Sequence, residues 1–123
     1  MIAKKAGVGG SAVSETWKIV LIDDEEDIRD VMALALLDAG YDVRTAADGA
    51  SGIRMCAEDI PQIVVTDIRM PGIDGLQVLE RLKARFPDIE VIVATAFGEM
   101  EVAIRALQLD ASDFITKPIS PKH

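Results

Sequence analysis

Carboxylates stand at the ends of two apolar runs in this chain. Asp67 follows Ile63, Val64, Val65 and Thr66 and precedes Ile68, Arg69, Met70, Pro71, Gly72, Ile73, Asp74 and Gly75. A β-branched run of this kind reads as a strand buried on both faces, and Pro71, Gly72 and Gly75 break regular structure after it. The strand then ends at Asp67 and delivers the carboxylate to a sheet edge, where ligands bind in open α/β sheets. Alone, Asp67 reads equally well as a cap for the next turn. Its company decides. Trp17 to Ile22 form a second apolar run, met at once by Asp23, Asp24, Glu25, Glu26 and Asp27. Thr95 follows the run Ile89 to Ala94, and Lys117 follows Phe114, Ile115 and Thr116.

Three carboxylates (Asp23, Asp24 and Asp67) with a hydroxyl and an ammonium suit a hard cation and an anion together. Magnesium is usually held by one or two carboxylates plus waters and phosphate oxygens, and a divalent ion would relieve the repulsion among the acids. Aspartate is a competent nucleophile towards phosphorus, and phosphoryl transfer asks mainly for positioning and charge neutralisation. The set reads as a site that carries a phosphoryl group on aspartate. Glu25, Glu26 and Asp27 have a plainer reading, as first-turn acids that complement a helix dipole.

The elements that must position these groups follow from periodicity. Ile28, Val31, Met32, Ala35 and Leu36 recur at helical spacing up to Gly40, and Tyr41, Val43 and Thr45 alternate as a strand. Asp48-Gly49 marks a turn before a short helix carrying Ile53, Cys56, Ala57 and Ile60, which ends ahead of Pro61. Leu76, Leu79, Leu82, Lys83 and Phe86 space a helix closed by Pro87, and Val102, Ala103, Ala106 and Leu109 space another. Strand and helix alternate with connections too long for hairpins, which predicts a parallel, doubly wound α/β sheet with helices on both faces. Right-handed crossovers then gather all the strand ends on one edge.

Composition sets the outer bounds. A chain of 123 residues fits one domain, half of them apolar, with no run near the ~18 apolar residues of a membrane span. The formal net charge of -8 argues against nucleic acid or an anionic membrane as partner. Cys56 is the single cysteine and reads as a small core residue in a reducing compartment. Residues 1–15 are Gly-rich and aperiodic, a leader or linker ahead of a domain spanning 16–123.

In their order, Asp23-Asp24, Asp67 within Asp-Ile-Arg-Met-Pro-Gly-Ile-Asp-Gly, Thr95-Ala96 and Lys117-Pro118 resemble the receiver domain of two-component response regulators. The resemblance implies a flavodoxin-like sheet of five parallel strands in the order 2-1-3-4-5. It implies that Asp67 accepts a phosphoryl group from a phosphohistidine, and that Asp24, Asp67 and the backbone carbonyl of Arg69 ligate Mg2+, with Asp23 acting through water. Lys117 would pair with the phosphoryl oxygens or Asp67, while Thr95 swings towards the phosphate and Phe114 moves inward. Arg69 and Phe97 stand at positions that vary in the family and influence how long the phosphoryl group survives. A cis peptide before Pro118 is carried over in the same way. The implied partner is a sensor histidine kinase or phosphotransfer protein in the cytoplasm.

Two departures stand out. Relatives continue into a fifth helix after the lysine-proline pair, whereas Ile119 to His123 are too few and too proline-interrupted to form one. The expectation is a truncated domain with an uncovered part of one sheet face, which leaves a homodimer open. Asp110 replaces a usual glycine and strains its turn. Other readings fit less well. A haloacid-dehalogenase-type phosphatase needs an acid where Arg69 stands, and a flavin module needs a phosphate cradle where Asp23 to Asp27 repel one. A receiver-like interaction module that is never phosphorylated is the remaining alternative.

Overall fold

Short β-branched runs and longer amphipathic stretches alternate along the chain, and the computed structural model turns them into nine elements over the described residues, 16–96 and 98–117. They run β1 (Lys18–Ile22), α1 (Glu26–Asp38), β2 (Asp42–Ala46), α2 (Gly49–Glu58), β3 (Ile63–Asp67), α3 (Gly75–Arg85), β4 (Glu90–Thr95), α4 (Met100–Gln108) and β5 (Asp113–Thr116). All four strand pairings are parallel, in the order β2-β1-β3-β4-β5. This is the doubly wound, five-stranded sheet anticipated from the sequence. The expectations for residues 1–15, for Phe97, for a fifth helix after Pro118 and for a cis bond at Pro118 fall outside the described residues.

Strand alternation splits the core in two. Val20, Ile22, Val64, Val91 and Val93 face α2, α3 and α4 through Cys56, Val78, Leu79, Leu82 and Ala106. Ile19, Leu21, Ile63, Val65 and Ile92 face the other way, where Met32, Ala33 and Leu36 of α1 pack against them. Each of the large side chains taken fully out of water contributes about 1.5–3 kcal/mol.

Helical spacing marks the buried face of α4 but not that of α1. Ala103 and Ala106 are buried as expected, with Val102 and Leu109 packed beside them. On α1, Met32 and Leu36 do face the sheet, but Val31 is 57% exposed and Ala35 is exposed, and none of the helix's residues is buried. Among the described residues α1 is the only helix over that face, so apolar residues on its far side have nothing to pack against. Ile60 lies beyond the end of α2 and is exposed, and at the turn marked by Asp48-Gly49 Asp48 is the N-cap of α2, accepting from the Ser51 amide at 2.8 Å.

Candidate functional site

Register brings the acids together. Ile22 pairs with Thr66, so Asp23 and Asp67 leave neighbouring strands at the same level. Asp67 pairs with Ala94, and Thr95 with Thr116, which sets Lys117 beside the end of β4 on the same edge. Backbone bonds carry the ladder one residue past each strand: Asp23 N–H to Ala46 (3.1 Å), Ile68 N–H to Ala94 (3.2 Å) and Lys117 N–H to Thr95 (2.6 Å). The acids are therefore fixed by the sheet itself.

Gly75 fixes the turn beneath Asp67. A Cβ there would lie 2.3 Å from the Asp67 carbonyl oxygen and 2.6 Å from the Ile68 Cα, so α3 starts this close to β3 only because residue 75 has no side chain. Asp74 caps α3 through the Gln77 amide at 2.9 Å, with Gln77 returning a bond to the Asp74 amide at 3.0 Å. The Thr66 hydroxyl donates to the Asp67 carbonyl at 3.0 Å.

Carboxylate oxygens of Asp23, Asp24 and Asp67 all lie within 4.8 Å of one another. Asp23 is 1% exposed and Asp67 6%, whereas Asp24 is exposed. Hard oxygen donors at this spacing, two of them buried, fit a magnesium-sized divalent cation. Lys117 Nζ stands 3.3 Å from carboxylate oxygens of Asp23, Glu25 and Asp67 alike. Glu25, Asp67 and Lys117 wall a cleft of about 480 Å³ with Asp24, Ile28, Arg69 and Ala96.

Burial pushes the Asp67 carboxyl above the ordinary aspartate value, Lys117 opposes this, and Asp23 and Asp24 add to the rise. Burial pulls Lys117 the other way, but Asp67, Asp23 and Glu25 outweigh it and leave the ammonium above its ordinary value. The site is thus a crowded, under-neutralised group of acids held around one lysine.

The remaining anticipated residues take different places. Thr95 is buried at the end of β4 and reaches the site through its carbonyl, which accepts from the Lys117 amide. Phe114 is half-buried and packs against the core beneath α4. Arg69 lines the cleft, and its side chain pairs with Glu99 at 2.9 Å. Glu25 corrects the sequence reading. It is the N-cap residue of α1 but makes no side-chain cap bond, because its carboxylate goes to Lys117 instead; Glu26 and Asp27 do occupy the first turn. Its position next to Asp23-Asp24 was the available signal. Glu99 had no such signal, being 30 residues from Arg69.

The response regulator receiver domain family matches residues 19–123. The chain belongs to that family. Among curated relatives, the receiver resembles a probable transcriptional regulator, ycf27, of Galdieria sulphuraria, 40% identical over 105 residues that are 85% of this chain and 41% of the relative. It also resembles the C4-dicarboxylate transport transcriptional regulatory protein DctD of Rhizobium meliloti, 38% identical over 88% of this chain and 24% of the relative. The receiver thus spans less than half the length of these relatives. Among solved structures, the receiver domain of NtrX from Brucella abortus superposes with a TM-score of 0.79 at 38% identity, covering 83% of this chain and 87% of that one. The fold and family implied by the sequence motifs are those the comparisons return, and no helix among the described residues is long and apolar enough to cross a membrane.

Proposed function

We propose that Asp67 is the phosphoacceptor of this receiver, taking a phosphoryl group from a phosphohistidine on a sensor kinase or phosphotransfer protein. The observation that carries the reading is the convergence of Asp23, Asp24, Asp67 and Lys117 at one sheet edge. An Asp67 carboxylate oxygen attacks phosphorus and an acyl phosphate forms. The phosphorus–nitrogen bond of the donor breaks, and its electron pair stays on the imidazole nitrogen, which takes up a proton. Lys117, already 3.3 Å from Asp67, is positioned to move onto the phosphoryl oxygens as their charge develops.

Asp23, Asp24, Asp67 and the Arg69 carbonyl would hold magnesium, which when bound neutralises the acids and the incoming dianion. The switch that follows would use Thr95 at the end of β4 and Phe114 on β5, in keeping with a local charge change biasing a two-state element. The receiver spans under half the length of these curated relatives, and a sensor kinase or phosphotransfer protein is the partner that the site calls for.

The test is intact mass after incubation with a small acyl phosphate and magnesium. One added phosphoryl group on the wild-type chain, absent in Asp67→Asn and absent without magnesium, is the expected outcome. An unmodified wild-type chain that still binds magnesium would instead support an interaction module that is never phosphorylated.

A further inference from the structure

Arg69 stands two residues beyond Asp67 and divides two clefts. It lines the acidic cleft with Asp67 and Lys117, and also a second cleft walled by Met70, Pro71, Asp74, Leu76 and Val102 of α4. Its side chain is 67% exposed, and its Nε donates to Glu99 Oε2 at 2.9 Å. Glu99 is the residue on which α4 begins, and it makes no side-chain cap bond to that helix. Its other oxygen, Oε1, is buried without a hydrogen-bond partner. The carboxylate is therefore committed to Arg69 while half its accepting capacity is unused. An arrangement of this kind is open to exchange, because Arg69 is largely exposed and held by one carboxylate oxygen alone.

We propose that the Arg69–Glu99 pair is a latch between the phosphorylation site and α4, opened when Asp67 is phosphorylated. The inference rests on the phosphoacceptor reading of Asp67. Phosphorylation replaces the single charge of the Asp67 carboxylate with a phosphoryl group of about -1.5 to -2, a net gain of up to about one negative charge, and adds three acceptor oxygens, which a guanidinium binds in preference to one carboxylate. Arg69 turns from Glu99 into the acidic cleft it already lines, and Glu99 loses its counter-ion. The freed carboxylate then sits at the positive end of α4, whose first-turn amides receive no side-chain cap while the latch is closed. Phosphorylation reaches α4 by an ion-pair exchange, separate from any movement of Thr95 and Phe114.

The experiment follows two readouts in wild type, Glu99→Gln, Arg69→Ala and the double variant, with intact mass run on each sample. By NMR, the Arg69 Nε–H resonance should move when the small acyl phosphate and magnesium are added, and Arg69→Ala alone, which frees the Glu99 carboxylate, should shift the Met100–Ala103 amides towards their phosphorylated positions. By mass, Glu99→Gln should raise the steady-state ratio of phosphorylated to free chain about 1.4- to fivefold, the worth of a surface ion pair. The same substitution in the Arg69→Ala background should leave the ratio unchanged. Failure of wild type to gain mass would overturn the phosphoacceptor reading. A phosphorylated wild type whose Arg69 Nε–H stays put, or a Glu99→Gln effect that persists without Arg69, would overturn the latch alone.

Discussion

One ammonium at 3.3 Å from each of three carboxylates does not balance them, and the imbalance has a measurable sign. Burial, with Asp23 adding to it, makes ionised Asp67 costly in the folded state, so the folded chain holds that proton more tightly than the unfolded chain does. Its contribution to stability is present below the ordinary aspartate value of about 3.9 and is lost as pH rises through the raised value. Asp67→Asn escapes that loss. In metal-free buffer the variant should be more stable than wild type at neutral pH, by on the order of 1 kcal/mol, and thermal melts should show the gap closing towards about pH 4. A gap independent of pH would mean that burial of the charge is not what Asp67 costs. Lys117 has the same sign in a higher window: its raised value means a contribution fully present through neutral pH and lost only as alkali deprotonates it.

At the scale of elements, two backbone positions hold the site and its neighbours in place. Gly75→Ala would drive a methyl into the Asp67 carbonyl, and since the obstacle is backbone the cost should be about 1–3 kcal/mol, with Asp67 displaced. Chemical denaturation reads the cost, and a slower gain of phosphoryl mass reads the displacement. Asp110 is the converse case. Helices α1 and α4 end alike, the residue after the cap turning left-handed while the next amide bonds back, Tyr41 to Leu36 and Ala111 to Ala106. Gly40 takes that conformation freely at φ 101°, whereas Asp110 takes it at φ 79° against its own Cβ. Asp110→Gly should therefore stabilise the domain by about 0.5–1 kcal/mol in chemical denaturation, the relieved strain exceeding the added freedom of the unfolded chain. This strain was legible beforehand, as were the strands, because apolar runs ending in acids admit few arrangements. The exposed side of α1 was not. Val31 obeys helical spacing as well as Met32 does, and periodicity does not say whether a second layer is there to receive it. Nor was the partner of Glu25 legible, since a first-turn acid and a lysine ligand look the same until the fold joins residues 25 and 117.

Over the whole molecule the acids dominate. The chain carries a formal charge of -8, and part of it is concentrated where the sheet forces Asp23, Asp24 and Asp67 within 4.8 Å. The unfolded chain has no such cluster, because residues 23 and 67 are then far apart, so a cation that needs all three binds the folded state alone. Magnesium should accordingly raise the melting temperature, by the equivalent of about 2.7 kcal/mol at a hundredfold excess over its dissociation constant. Sodium at matched ionic strength screens the same charges without bridging them and should give a smaller, non-saturating rise. Asp24→Asn separates the two effects. It leaves the buried carboxylates and most of the net charge in place but removes the exposed ligand, so it should abolish the saturable magnesium response and keep the sodium one. Equal responses to the two salts, or a magnesium response untouched in Asp24→Asn, would show that the cluster is neutralised by diffuse counter-ions and is not a metal site.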